Sequence, residues 1–297
     1  MKRVVFAGMF LISGLTISSA QIKLSFNPPK GKKYEYRQET IQSVKQNVMG
    51  QEIPMETEMS TTYLMEIKDK TPQETQTQLT YRDLVFIVSS PIVKIGYDSR
   101  NPIENPSEMD QMFSKMFSGW IDKSIMLIIA PDGSVTSVTG MEAIFGDMIG
   151  SMSVNEQMVA QMKQTFGDDA MKKSFEQLSK IFPTTPVKVG DNWNMENTVT
   201  MPMNGMNTTI KTTYTLKEVR KKIAIIAVEG DTEINFGTTM DGILSGTQTG
   251  TTTVDIQTGM IISGESTQTM KGTVKVQGFD IQMEMEMKTK VSTKGVK

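Results

Sequence analysis

Two hydrophobic periods alternate in blocks along the chain. Near the C-terminus, Ile281, Met283, Met285 and Met287 alternate with Gln282, Glu284, Glu286 and Lys288. Successive side chains of a strand point to opposite faces, so this stretch predicts a strand with one apolar and one polar face. Residues 34–90 are rich in Thr, Tyr, Val and Ile. Pro54 and Pro72 read as turns there, separating long strands at about 34–48, 55–68 and 74–89. Further strands are expected at 193–201, 207–219, 223–229, 232–237, 246–257 and 260–276, punctuated by Gly242, Gly259 and Gly278. Strands well beyond the usual ~5–6 residues imply a large, twisted or curved antiparallel sheet.

Between these β-rich stretches the period changes. Met109, Met112, Phe113, Met116, Phe117 and Trp120 recur at three- and four-residue spacing behind Asn105-Pro106-Ser107-Glu108, which predicts an amphipathic helix. Pro131-Asp132-Gly133 marks a hairpin turn. From 141 to 182 the helical period returns, with Met158, Met162 and Phe166, then Met171, Phe175, Leu178 and Phe182. Two or three helices are expected, broken near Gly150 and near Gly167-Asp168. The fold class that follows is α+β: a large curved antiparallel β-sheet, half-barrel-like, with amphipathic helices from the middle third packed on one face.

Residues 21–297 read as a single β-rich domain with two weakly repeated β-halves, about 21–140 and 183–297, and a helical insertion at about 103–121 and 141–182. The repeat rests on matched signals. Pro29-Lys30-Gly31 leads to Tyr34 as Lys188-Val189-Gly190 leads to Trp193, and each is followed by a Pro-Met pair, Pro54-Met55 and Pro202-Met203.

The first twenty residues carry a different message. Lys2 and Arg3 precede an apolar run from 4 to 17, and Ser18-Ser19-Ala20 places small residues before a cut at Gln21, the pattern of a secretory signal peptide. The run is shorter than the ~20 apolar residues of a membrane-spanning helix, and no second run follows. The chain has no cysteine, so a lipoprotein-type leader, which needs one at its cut, is excluded. The expectation is a soluble exported protein, periplasmic or extracellular. Loss of Lys2 and Arg3 takes the formal charge from −2 to −4. Nucleic acid is therefore an unfavourable partner. Histidine is also absent, which removes the commonest general base and metal ligand together with the thiol nucleophile. No phosphate loop, nucleophile elbow or zinc motif occurs, so a non-enzymatic protein without cofactors is expected.

The Pro-Lys-Gly lead into Tyr34, the stretch Pro186-Val187-Lys188-Val189-Gly190-Asp191-Asn192-Trp193 and the late Thr258-Gly259-Met260-Ile261 turn resemble a family of uncharacterised exported proteins of Bacteroidota. The order of long strands, inserted helices and more long strands is also similar to the half-barrel of the LolA and LppX carriers. That second resemblance implies a sheet wrapping helices over an apolar cavity, and it transfers no residue roles.

Methionine is the outstanding compositional signal, with 26 in the chain. Its flexible, polarisable side chain suits surfaces that accept varied apolar ligands, as well as ordinary core filling. The expected function is binding of an apolar ligand, a lipid or an acylated partner, between sheet and helices. The lining residues expected are Met109, Met112, Phe113, Met116, Phe117, Met158 and Met162. The alternative is a structural or interaction protein of the envelope whose core is filled. A remote alternative is Cu(I) held by Met201 and Met203, or by Met283, Met285 and Met287. Trp193 reads as a packing anchor at a strand start rather than a ligand contact.

Overall fold

The computed structural model describes residues 21–296 apart from 49, 152–155, 180, 202–205, 238–240 and 277. The expected leader, residues 1–20, lies outside the described residues. Twelve strands form one antiparallel sheet. In chain order they are β1 (Lys33–Val48), β2 (Gln51–Lys70), β3 (Thr75–Ser89), β4 (Lys94–Asp98), β5 (Ser124–Ile129), β6 (Val135–Thr139), β7 (Asn192–Met201), β8 (Met206–Arg220), β9 (Ile223–Asn235), β10 (Asp241–Asp255), β11 (Ile261–Val276) and β12 (Phe279–Val296). The helices are α1 (Glu108–Phe117), α2 (Met141–Ser151), α3 (Glu156–Phe166) and α4 (Asp168–Ser179).

The spatial order is β6-β5-β3-β2-β1-β12-β11-β10-β9-β8-β7, with β4 also paired to β3. Read from β7, it is a meander that runs to β12, continues across to β1 and ends at β6. The two ends of the chain meet in its middle, where Lys33 faces Val296 and Asn47 faces Gln282. Helices α2 to α4 connect β6 to β7, the two edge strands.

Alternation assigns the faces. On β1, Tyr36, Thr40 and Val44 point inward and Glu35, Glu39 and Lys45 outward. On β12 the inward set is Met283, Met285, Met287 and Thr293. The outward face is laced by opposite charges placed across strands, such as Glu39, Lys290 and Glu265, which stabilise a solvated face modestly. Curvature comes in part from glycines. Gly246 on β10 and Gly272 on β11 face inward, and a Cβ on either would collide with a carbonyl oxygen of the adjacent strand, Thr269 and Ile243 respectively. Only glycine permits that close approach at a sheet corner.

Several strand expectations needed correction. Pro54 is not a turn: β2 runs through it from Gln51. Pairing of β2 with β3 begins only at Glu56, so the N–H that Pro54 lacks has no strand to meet. The strands expected at 223–229 and 232–237 are one, β9, continuous from Ile223 to Asn235. Gly242 lies inside β10, and the short β4 was not anticipated.

Two of the core clusters lie at one end of the inward face, here the closed end, where β1 begins and β12 finishes. One cluster joins Leu79, Tyr81, Ile125 and Leu127 to Met141, Ile144 and Phe145 of α2. A second joins Leu216, Ile226 and Val254 to Leu24, Ile181 and Phe182. Phe26 packs against both. Residues 22–27 form a strap across this end: Ile22 bridges Val187, Phe26 N–H donates to the Pro131 carbonyl at 2.8 Å, and Asn27 N–H donates to the Thr258 carbonyl at 2.7 Å. Those partners belong to opposite halves of the sheet, so the strap holds the curl closed. Trp193 is a packing anchor, stacked on Tyr214 at 5.7 Å and donating from Nε1 to the Ile181 carbonyl at 2.9 Å.

Candidate apolar-ligand site

Helix α1 is fastened to β4 by a single carboxylate. Ser107 caps the helix, its Oγ accepting from Asp110 N–H at 3.2 Å, and Asp110 accepts in return from Ser107 N–H at 2.8 Å, a capping box. The other Asp110 oxygen accepts from Gly96 N–H at 2.7 Å. The hydrogen bond from the Ser107 hydroxyl, followed by that from Gly96, holds the buried Asp110 carboxyl below the usual aspartate range.

So anchored, α1 lays Phe113 and Phe117 on Phe86, with ring centroids 5.3 and 5.7 Å away, and Phe117 also meets Tyr97 at 6.0 Å. Met116 packs on the first core cluster. Met112 is half-buried and Met109 is exposed. The α1 stripe therefore forms one wall of the inward face by packing against β3 and β4. Met158 and Met162 fall in α3, and their side chains lie outside the described residues. Met203 lies outside them too, as does the Met201 side chain.

A cavity of about 110 Å³ sits between the two core clusters. Phe26, Leu127, Phe175, Phe182 and Met260 supply its apolar lining, and Tyr36, Gln38 and Thr293 its polar side. Residues of β5 and β11 line it together although the strands are five places apart in the sheet, a direct measure of the curl. Thr293 Oγ1 makes no hydrogen bond within the chain. Burial raises the phenols of Tyr36 and Tyr63 beside it, the latter to about 12. The volume is smaller than a ~150 Å³ cavity that admits benzene and far below the ~300 Å³ of an ordinary ligand pocket. The space is that of a packing gap rather than a preformed acyl-chain pocket.

The other end of the inward face, here the open end, is built differently. Strand register places Met55, Val44, Met285 and Met270 side by side on β2, β1, β12 and β11. The next row toward the rim is Ile53, Gln46 and Met283, followed by Gly272 and Leu244. Val44 and Met270 are buried, Met55, Met283 and Met285 are half-buried, and Ile53 is 44% exposed. Among the described residues the helices approach the sheet backbone chiefly at β4 and β6. A polar belt separates this methionine trough from the closed-end core: Thr40 Oγ1 lies 3.2 Å from Thr289 Oγ1, Gln42 Nε2 donates to Met285 Sδ at 3.4 Å, and Gln268 donates to Thr232 Oγ1. Met283, Met285 and Met287 stand in line on one strand face, with a ~6.6–6.8 Å repeat. Among the described residues no cluster of three or more His, Cys, Asp or Glu could hold a metal.

Residues 72–261 match the model of a family of unknown function, DUF6263, and the chain belongs to that family. No curated protein matches the chain. Among solved structures, lipovitellin, described for its lipid–protein interactions, is similar at 11% identity with a TM-score of 0.42, over 92% of this chain and 26% of lipovitellin. The chain thus spans about a quarter of that protein. An outer membrane channel from Pseudomonas putida F1 gives 8% identity and a TM-score of 0.24 over 90% of this chain and 96% of the channel. The outer membrane protein OprG from Pseudomonas aeruginosa gives 5% and 0.22 over 91% and 99%. Among the described residues no helix is long and apolar enough to cross a membrane.

Proposed function

We propose that the protein is a non-catalytic, exported protein of the cell envelope that holds an apolar ligand, a lipid or an acylated partner, between its sheet and helices, in the manner of carriers such as LolA and LppX. The observation that carries this reading is the methionine trough. Met55, Met283 and Met285 face inward on adjacent strands and are only half-buried beside the buried Val44 and Met270, where a filled core would bury them all. Thioether side chains adapt to an acyl chain without a fixed shape. The wall is α1, because Phe113 and Phe117 meet Phe86, the β3 neighbour of Met59 on β2.

Native mass spectrometry of the protein purified from its host tests the reading. Bound apolar mass is expected on the wild type and should be lost in Met285→Asp. A bare wild type that also fails to take up a fluorescent apolar probe would refute it. The closed-end cavity favours a second reading, since about 110 Å³ is the space left in a packed structural domain. A structural envelope protein would give that bare result.

A further inference from the structure

We infer that the open-end hairpin tips dock the protein on a lipid bilayer surface. Strand register brings β1 and β2, β3 and β4, β9 and β10, and β11 and β12 together in pairs at this end. Exposed apolar side chains mark them: Ile92 at 95%, Phe279 at 55%, Ile243 at 48%, and Ile53 and Val93 at 44%. Ile92 is held outward at the tip of a turn that Ser90 ties together, its Oγ accepting from Val93 N–H at 3.2 Å and its N–H donating to the Val93 carbonyl at 2.7 Å. Phe279 follows Gly278, whose φ of 87° makes the tight turn that presents it.

The closed-end turns carry the opposite chemistry, with Lys30 and Lys32, Lys70, Asp132, and Lys221 and Lys222. Val189, Ile223 and Val296 are also exposed there, at 44%, 36% and 43%. The two most exposed apolar side chains, Ile92 and Phe279, both lie at the open end.

The form of the apolar end selects the occupant. A protein interface is one contiguous apolar patch with a polar rim. Here single apolar groups project from separate hairpins, and strands ~4.8 Å apart put successive hairpin tips ~10 Å from one another along the rim. Charges behind the tips are matched in pairs, Lys45 with Glu52 at 3.6 Å and Lys275 with Asp280 at 3.7 Å, so the rim offers no net field to a charged partner. Shallow insertion of apolar groups into the boundary between headgroups and acyl chains fits both features. The inference stands on the rim alone and does not require the trough to hold a ligand.

Flotation of the purified protein with vesicles of phosphatidylethanolamine and phosphatidylglycerol tests it. The wild type should float with the vesicles, and the double variant Ile92→Asp/Phe279→Asp should lose at least tenfold in partition with an unchanged melting temperature. The closed-end control Ile223→Asp should partition as the wild type does. Raising salt should leave wild-type flotation unchanged, because apolar insertion is not screened. Failure of the wild type to float, equal flotation of the double variant, or flotation abolished by salt would each overturn the proposal. A wild type that ignores vesicles while its tips are needed to capture an envelope protein would replace the bilayer by a protein partner.

Discussion

The two ends of the inward face are made from the same strands yet differ in how they treat apolar side chains. At the closed end Leu216, Ile226 and Val254 are fully buried under Leu24, Ile181 and Phe182, segments that lie outside the sheet. At the open end Leu244, Met270 and Val274 are buried too, but among the described residues they pack against Ile234, Phe236, Val276, Met283 and Met285, which belong to the sheet or follow directly on one of its strands. The difference teaches that one sheet can bury apolar side chains in two ways, under segments outside it and among its own strands. The two larger core clusters lie at the closed end, and a third, smaller one at the open end.

A pair of truncations gives the largest expected contrast. Leu216→Ala at the closed end should cost ~2–5 kcal/mol in urea unfolding, the range for a buried leucine. Met285→Ala, half-buried at the open end, should cost under ~1.5 kcal/mol. Equal losses would abolish the distinction. The next effect is on alkaline stability. Burial raises Tyr63 beside the cavity and Tyr214 in the second cluster to about 12. Their neutral forms are favoured in the folded state, so this contribution is complete below the unfolded value of ~10 and is lost as pH rises toward 12. The urea midpoint should therefore fall between pH 10 and 12, by ~1–3 kcal/mol per tyrosine. A flat profile there would mean that the closed end admits water. The smallest expected effect is at the helix anchor. Asp110→Ala removes a capping box and leaves Gly96 N–H without its acceptor, at a cost of ~1–3 kcal/mol at pH 7. Because the folded pKa of Asp110 lies below the unfolded ~3.9, its contribution is present above that value and is lost as pH falls through the folded pKa. The deficit of the variant should accordingly shrink in acid.

Legibility in the sequence followed solvent exposure. Strand β12 was readable because one of its faces is wet, which forces Glu284, Glu286 and Lys288 to alternate with methionine. Helix α1 was readable from its spacing and from Ser107. The same spacing could not say what the stripe would touch, since a protein face and a ligand select the same residue types, and Phe113 and Phe117 meet Phe86 and Tyr97. Pro54 misled because the usual cost of a proline depends on the neighbouring strand, which local sequence does not contain. The trough was invisible for the same reason. Val44 lies between Met55 and Met285 only through the register of β1 with both β2 and β12.

The seam between β1 and β12 also bears on how the chain is made. Its partners come from the two extremes of the sequence, and contacts so distant form slowly because a large loop must close first. During synthesis β7 to β11 can pair in turn and β1 to β3 likewise, but these two assemblies have no common strand until β12 emerges. Until then β1 and β11 each present a long unpaired edge, the kind of surface that recruits other chains. The most aggregation-prone surface of the nascent protein thus becomes the centre of the finished sheet, and loss of the last strand would split the molecule down the middle rather than fray its border.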